Sequence, residues 1–149
     1  MRDVNLGKYV NAPEGLGPAE VQRLLDEFLD LPQPASADEA LTRSEALWQL
    51  ADRHWHTYTS LQNPTKKRID EWIRRNWDRS SPNMIGWVIG TIAQLGLLDS
   101  LNYLKNSLEG ELPETVRQKI LKALSEFGDS VEDPYAAVKG GRKPTADDN

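Results

Sequence analysis

Cysteine is missing from this sequence, which excludes disulfide bonds, thiolate metal sites and a cysteine nucleophile. The absence fits a protein of the cytoplasm. Histidine is nearly missing too: only His54 and His56 are present. On a helix, residues two apart point about 200° away from each other, so these two cannot share a metal ion. They are expected as polar rings facing solvent or an interface, and no metal site is expected. Long apolar runs are also lacking. The richest stretch, Met84 to Leu98, is broken by Gly86, Gly90, Thr91, Gln94 and Gly96, and falls short of the roughly 20 residues a membrane span needs. Residues 1–10 carry Arg2, Asp3 and Lys8 without an apolar core, so no signal peptide is expected.

The signatures of catalysis are absent as well. No serine sits in a G-x-S-x-G turn, and no glycine-rich phosphate loop is present. Gly140-Gly141-Arg142-Lys143 lies in a polar tail with no strand or helix after it. Neither an enzyme activity nor a cofactor is therefore expected.

What is present suits one ordinary domain with a real core: 149 residues, 38% of them hydrophobic and 28% charged. The net charge of −5 is uneven, at −5 over residues 1–62, +3 over 63–81 and −3 over 82–149. Such a balance repels nucleic acid and anionic membranes and steers the chain toward basic partners.

Helical spacing dominates the pattern, and no period-2 run bounded by hairpin turns occurs. Residues 1–17 are punctuated by Gly7, Pro13, Gly15 and Gly17 and read as irregular. Pro18 opens a helix with Val21, Leu24, Leu25, Phe28 and Leu29 on one face, and Pro32 and Pro34 end it. Ser36 and Glu39 form a capping box for a second helix, running to about Leu61, with Leu41, Trp48 and Trp55, and Ala51 and Tyr58 as a second row, forming its buried stripe. Asn63-Pro64 starts a third helix, with Ile69, Trp72, Ile73 and Trp77 inward. Ser81-Pro82 starts a fourth, apolar nearly all round and so expected as the central buried helix. Its Gly86 and Gly90 would let a neighbour approach closely, and Gly96 closes it. A fifth helix spans about Leu98 to Leu108. A sixth from Pro113 buries Val116, Ile120, Leu121, Leu124 and Phe127 and stops at Gly128. The expected organisation is an irregular segment 1–17, a single all-α domain 18–129 and a flexible tail 130–149.

A shift of 32 residues superposes two helix pairs. Ile69 maps onto Leu101, Trp72 onto Leu104, Met84 onto Val116, Val88 onto Ile120, Ile89 onto Leu121, Ile92 onto Leu124, and Leu95-Gly96 onto Phe127-Gly128. Repeated helix pairs point to an α-solenoid. Over about residues 64–129 the chain resembles HEAT-like helical repeats, on Ile92-Ala93-Gln94-Leu95-Gly96-Leu97 and on Val116-Arg117 through Ala123-Leu124-Ser125-Glu126-Phe127-Gly128-Asp129. The resemblance implies antiparallel helix pairs stacked as a short solenoid with a curved binding surface. A compact helical bundle is the alternative.

Two surfaces stand out. Acidic residues crowd helix ends and turns, with Asp99, Glu109, Glu111, Glu114, Glu126 and Asp129 as a candidate docking surface for a basic protein. Trp77, at the end of a basic helix, is the candidate partly exposed aromatic anchor, whereas Trp48, Trp55, Trp72 and Trp87 are expected in the core. The second surface is basic: Lys66, Lys67, Arg74, Arg75 and Arg79 could meet nucleic acid. Their i, i+4 spacing to Asp70 and Glu71 is expected to neutralise much of that charge.

The leading expectation is therefore a non-catalytic protein-binding module, most concretely a small acidic bacterial immunity protein that neutralises a basic toxin. An adaptor or assembly chaperone shares its features. A HEAT-like nucleic-acid binder is the alternative. A small enzyme using Asp52, His54 and His56 would require a pocket of roughly 300 Å³ or more beside them.

Overall fold

The structure, a computed structural model, describes residues 6–57, 59 and 61–127. The tail, Tyr58, Gly128 and Asp129 lie outside these residues. Among the described residues the chain is helical throughout: α1 (Gly7–Val10), α2 (Pro18–Leu29), α3 (Ala37–Trp55), α4 (Asn63–Asn76), α5 (Pro82–Leu95), α6 (Leu98–Ser107) and α7 (Glu114–Phe127), with no strand. None of these helices is long and apolar enough to cross a membrane.

Local chemistry sets the helix ends. Ser36 Oγ accepts from Glu39 N at 3.1 Å, and Glu39 Oε1 accepts from Ala35 N at 3.2 Å. Ser81 Oγ accepts from Met84 N at 3.1 Å, with Pro82 just inside α5. Gly96 closes α5 in the left-handed region, φ 70°, where a side chain would be strained. Two boundaries differ from the sequence reading. α3 stops at Trp55 rather than near Leu61, because Thr57 turns back and gives both its N–H and its hydroxyl to His54 O, at 3.0 and 2.7 Å. Within the segment read as irregular, Gly7–Val10 is a helical turn that buries Tyr9 edge-on against Phe28, with ring centroids 5.7 Å apart.

α3 packs on α5 and α5 on α7, while α2 packs on α4 and α4 on α6. Further contacts join α2 to α3, α1 to α3, and α6 to both α5 and α7. The core draws on every one of these helices, from Tyr9 and Phe28 through Leu47, Leu50, Ile73, Met84, Ile85 and Ile92 to Leu104 and Ile120.

Three expectations about which face is buried are corrected. On α3 the buried face is Ala40, Arg43, Ser44, Ala46, Leu47, Leu50, Ala51 and His54, whereas Leu41, Trp48 and Trp55 are only partly covered. The small side chains let α3 lie close to its neighbours. Arg43 is buried because its guanidinium bonds Pro32 O and the Glu39 carboxylate, closing the turn between α2 and α3. α5 is not covered all round, since Gly86 is exposed and Trp87, Ile89 and Gly90 are half-buried. Leu121 is 43% exposed, whereas Val116, Ile120 and Ala123 form the buried face of α7. Of the positions aligned by the 32-residue shift, Ile69, Leu101, Trp72, Leu104, Met84, Val116, Val88, Ile120 and Ile92 are buried, Ile89 and Leu124 are half-buried and Leu121 is exposed.

Candidate functional site

A concave surface lies where α3, α5 and α7 meet. It is an open groove of about 650 Å³ lined by Leu41, Thr42, Glu45 and Trp48 from α3, Pro82, Asn83, Gly86 and Trp87 from α5, and Lys119 from α7. Its size falls in the range of binding clefts. Leu41, Glu45 and Trp48 are four and three residues apart, which sets them on one face of α3. Trp48 and Trp87 pack tilted against each other, ring centroids 5.5 Å apart at 53°. Glycine makes that packing possible: a Cβ at Gly90 would stand 2.6 Å from Trp48 Cδ1, whereas one at Gly86 would meet nothing within 4 Å. Gly90 thus seats the indole and Gly86 leaves the floor open.

The electrostatics of the groove are simple. α5 carries no charged residue along its whole length, Pro82–Leu95. Glu45 on one wall and Lys119 on the other take part in no ion pair among the described residues. The groove is therefore an uncharged floor between one carboxylate and one ammonium that pair with nothing among the described residues.

Sequence reasoning placed both indoles of this groove in the core, and it set Trp77 on the inward side of its helix while also offering it as a partly exposed anchor. The structure leaves Trp48 and Trp87 half-buried and buries Trp77. Trp77 is 7% exposed and packs edge-on against Tyr103, centroids 5.9 Å apart, with the Arg79 guanidinium over its ring. It is buried because the chain leaves α4 at this residue in an extended conformation that turns the ring inward. The available signal was the absence of charge on α5, which left no polar face to mark its outside.

The remaining candidates come from several elements. Glu109, Glu111 and Glu114 are exposed around the turn from α6 to α7, Asp99 at the start of α6 and Glu126 near the end of α7. Of the basic group, Lys66 and Lys67 line a small groove with Asp70, Gly96 and Asp99, and Arg75 lines another with Leu29, Gln33, Arg68 and Trp72. Arg74 is exposed, and Arg79 reaches Ser107 O at 3.4 Å.

The expected pairing within α4 is corrected. Asp70 is buried and turns away to α6, where its Oδ1 accepts from Ser100 N at 3.1 Å and from the Ser100 hydroxyl. Arg68 instead joins α4 to α2, at 2.7 Å from Asp30 and 3.8 Å from Asp26. Burial raises the Asp70 pKa above 3.8, although its bonds from Ser100 oppose the rise.

The histidines also separate. His56 is exposed and its Nδ1 lies 2.8 Å from Asp52 O. His54 is 5% exposed, its Nδ1 has no hydrogen-bond partner among the described residues, and burial, with a smaller push from Lys66, lowers its pKa below 6.5. His54 was expected at the surface. It is buried because position 54 continues the small-residue face of α3. Asp52, His54 and His56 do not line the 650 Å³ groove. Among the described residues no three His, Asp or Glu side chains gather as a cation site. No family model, curated protein or solved structure matches this chain.

Proposed function

We propose that this chain is a non-catalytic module that binds another protein, in its narrowest form an acidic immunity protein that neutralises a basic toxin in the cytoplasm. The observation that carries the reading is the half-buried Trp48–Trp87 pair beside an open groove with an uncharged floor. Tryptophan is enriched at interface hot spots, where it gives a large contact area at small entropic cost. The net charge of −5 favours steering toward a basic partner. A HEAT-like stack is part of the proposal. Its support is the pattern of contacts, α2 to α4 to α6 on one side and α3 to α5 to α7 on the other, which is what stacked helix pairs produce.

One observation favours a second reading, a nucleic-acid binder. With Asp70 turned into α6, Lys66 and Arg74 lose the partner expected for them, so the charge on α4 is less neutralised than the spacing implies. The two readings separate in a pull-down from source-cell lysate at low and high salt. A single stoichiometric protein that stays bound at high salt supports the binding module, and a basic toxin supports its narrowest form. Nucleic acid that elutes with salt, without a protein, overturns it.

A further inference from the structure

The groove between α3, α5 and α7 has chemistry specific enough to describe its occupant. Its floor is Gly86 and Trp87 on a helix without charge, and its walls carry Trp48 and Leu41. Backbone amides laid on such a floor would lose water and find few partners. An extended segment therefore pays heavily here, whereas a helix satisfies its own backbone. Across that floor stand Glu45 and Lys119, opposite in sign and neither engaged in an ion pair among the described residues. A ligand that covers the floor approaches both charges at once.

We propose that this groove receives one amphipathic helix of a partner protein, its apolar stripe over Trp48, Gly86 and Trp87, a basic flank toward Glu45 and an acidic flank toward Lys119. The proposal rests on the protein-binding reading above and adds to it the site and the form of the partner. A flank charge of each sign lets the helix match both walls, and one running in the opposite direction matches them by exchanging flanks. A helix with the same sign on both flanks always meets one like charge. This is helix-in-groove recognition, in which the stripe supplies affinity and the flanks supply choice.

The test uses the full chain and three synthetic tryptophan-free helical peptides that share one leucine stripe. One carries Lys on one flank and Glu on the other, the second Lys on both, the third Glu on both. Binding is followed by the fluorescence shift of the protein's tryptophans. The mixed peptide is expected to bind roughly fivefold tighter than either uniform one, the scale of one rim ion pair gained in place of one repulsion. Glu45→Lys should move the preference to the peptide with Glu on both flanks, and Lys119→Glu to the peptide with Lys on both. Gly86→Trp should abolish binding of all three while keeping the fold, since Gly86 is exposed and a Cβ there meets nothing within 4 Å. Equal binding of the three peptides, or a preference that the two charge reversals leave unchanged, would overturn the proposal. So would a dimer in sedimentation that Gly86→Trp dissociates, because a second copy would then fill the groove. A lysate protein captured equally by wild type and Gly86→Trp would also overturn it while sparing the binding-module reading, which fails only if wild type captures no protein.

Discussion

Asp70 and His54 show how much one buried polar side chain can decide. Asp70 was read as a surface partner for Lys66 and Arg74, yet it receives the first turn of α6 through Ser100. Asp70→Ala should destabilise the protein by about 1–3 kcal/mol, because the Ser100 N–H and hydroxyl lose their acceptor while buried. Asp70→Asn keeps an acceptor oxygen and removes the burial penalty on charge, so urea midpoints at neutral pH should be equal to or above wild type. The pH signs follow from the shifts. Folded Asp70 holds its proton more tightly than an ordinary carboxyl of pKa 3.8, so its contribution to stability is full below 3.8 and declines as pH rises through the window above it. Folded His54 holds its proton less tightly than free imidazole of pKa 6.5. The unfolded chain therefore binds more protons just below 6.5, and stability falls as pH drops through that window. His54→Leu should flatten this part of the profile, measured as urea midpoint against pH. A profile unchanged by His54→Leu would place the titration elsewhere.

At the scale of the element, α5 and α7 make contrasting tests. Gly86 and Gly90 are one turn apart on the same helix and are indistinguishable by spacing. Gly86→Ala should raise stability by about 0.5–1 kcal/mol, the cost of a helical glycine recovered without a clash. Gly90→Ala should lower it by about 1 kcal/mol or more, because the new methyl displaces the Trp48 indole and outweighs the gain in helix propensity. Thermal melts of the two variants should move in opposite directions. On α7, Ile120→Ala should cost about 2–5 kcal/mol and the neighbouring Leu121→Ala under about 1 kcal/mol, since Ile120 is 0% and Leu121 43% exposed. The sequence treated these two residues alike. They differ because α7 is covered on one side by α5 and α6 and, among the described residues, left open on the other.

Across the whole molecule the charge is arranged by helix. α2 presents Asp26 and Asp30 to the basic α4, and Arg68 bridges them. Lys67, Arg74 and Arg75 are exposed and take part in no ion pair among the described residues. Replacing these three by Ala should shift stability by less than about 0.5 kcal/mol each, and a larger loss in urea unfolding would show that they are paired. Much of the fold was legible beforehand. Proline and serine starts, the Gly96 stop and the apolar spacing marked helices α2 to α7, because capping and periodicity are local chemistry. The sequence also determined the absence of thiol chemistry and the acidic balance, which depend on composition alone. The spacing also marked the buried faces of α2, α4 and α6, but it did not determine which side of α3 and α5 faces out. Ala40, Ser44 and His54 are less apolar than Leu41, Trp48 and Trp55, yet they are the buried set, because small side chains let α3 approach its neighbours while a large indole needs the space that Gly90 leaves. Trp77 was decided likewise by the direction in which the chain leaves α4. Only the tertiary structure could make the groove, since its walls come from three helices far apart in the chain. Periodicity fixes the faces within a helix, but the face that meets water depends on which neighbours cover the others.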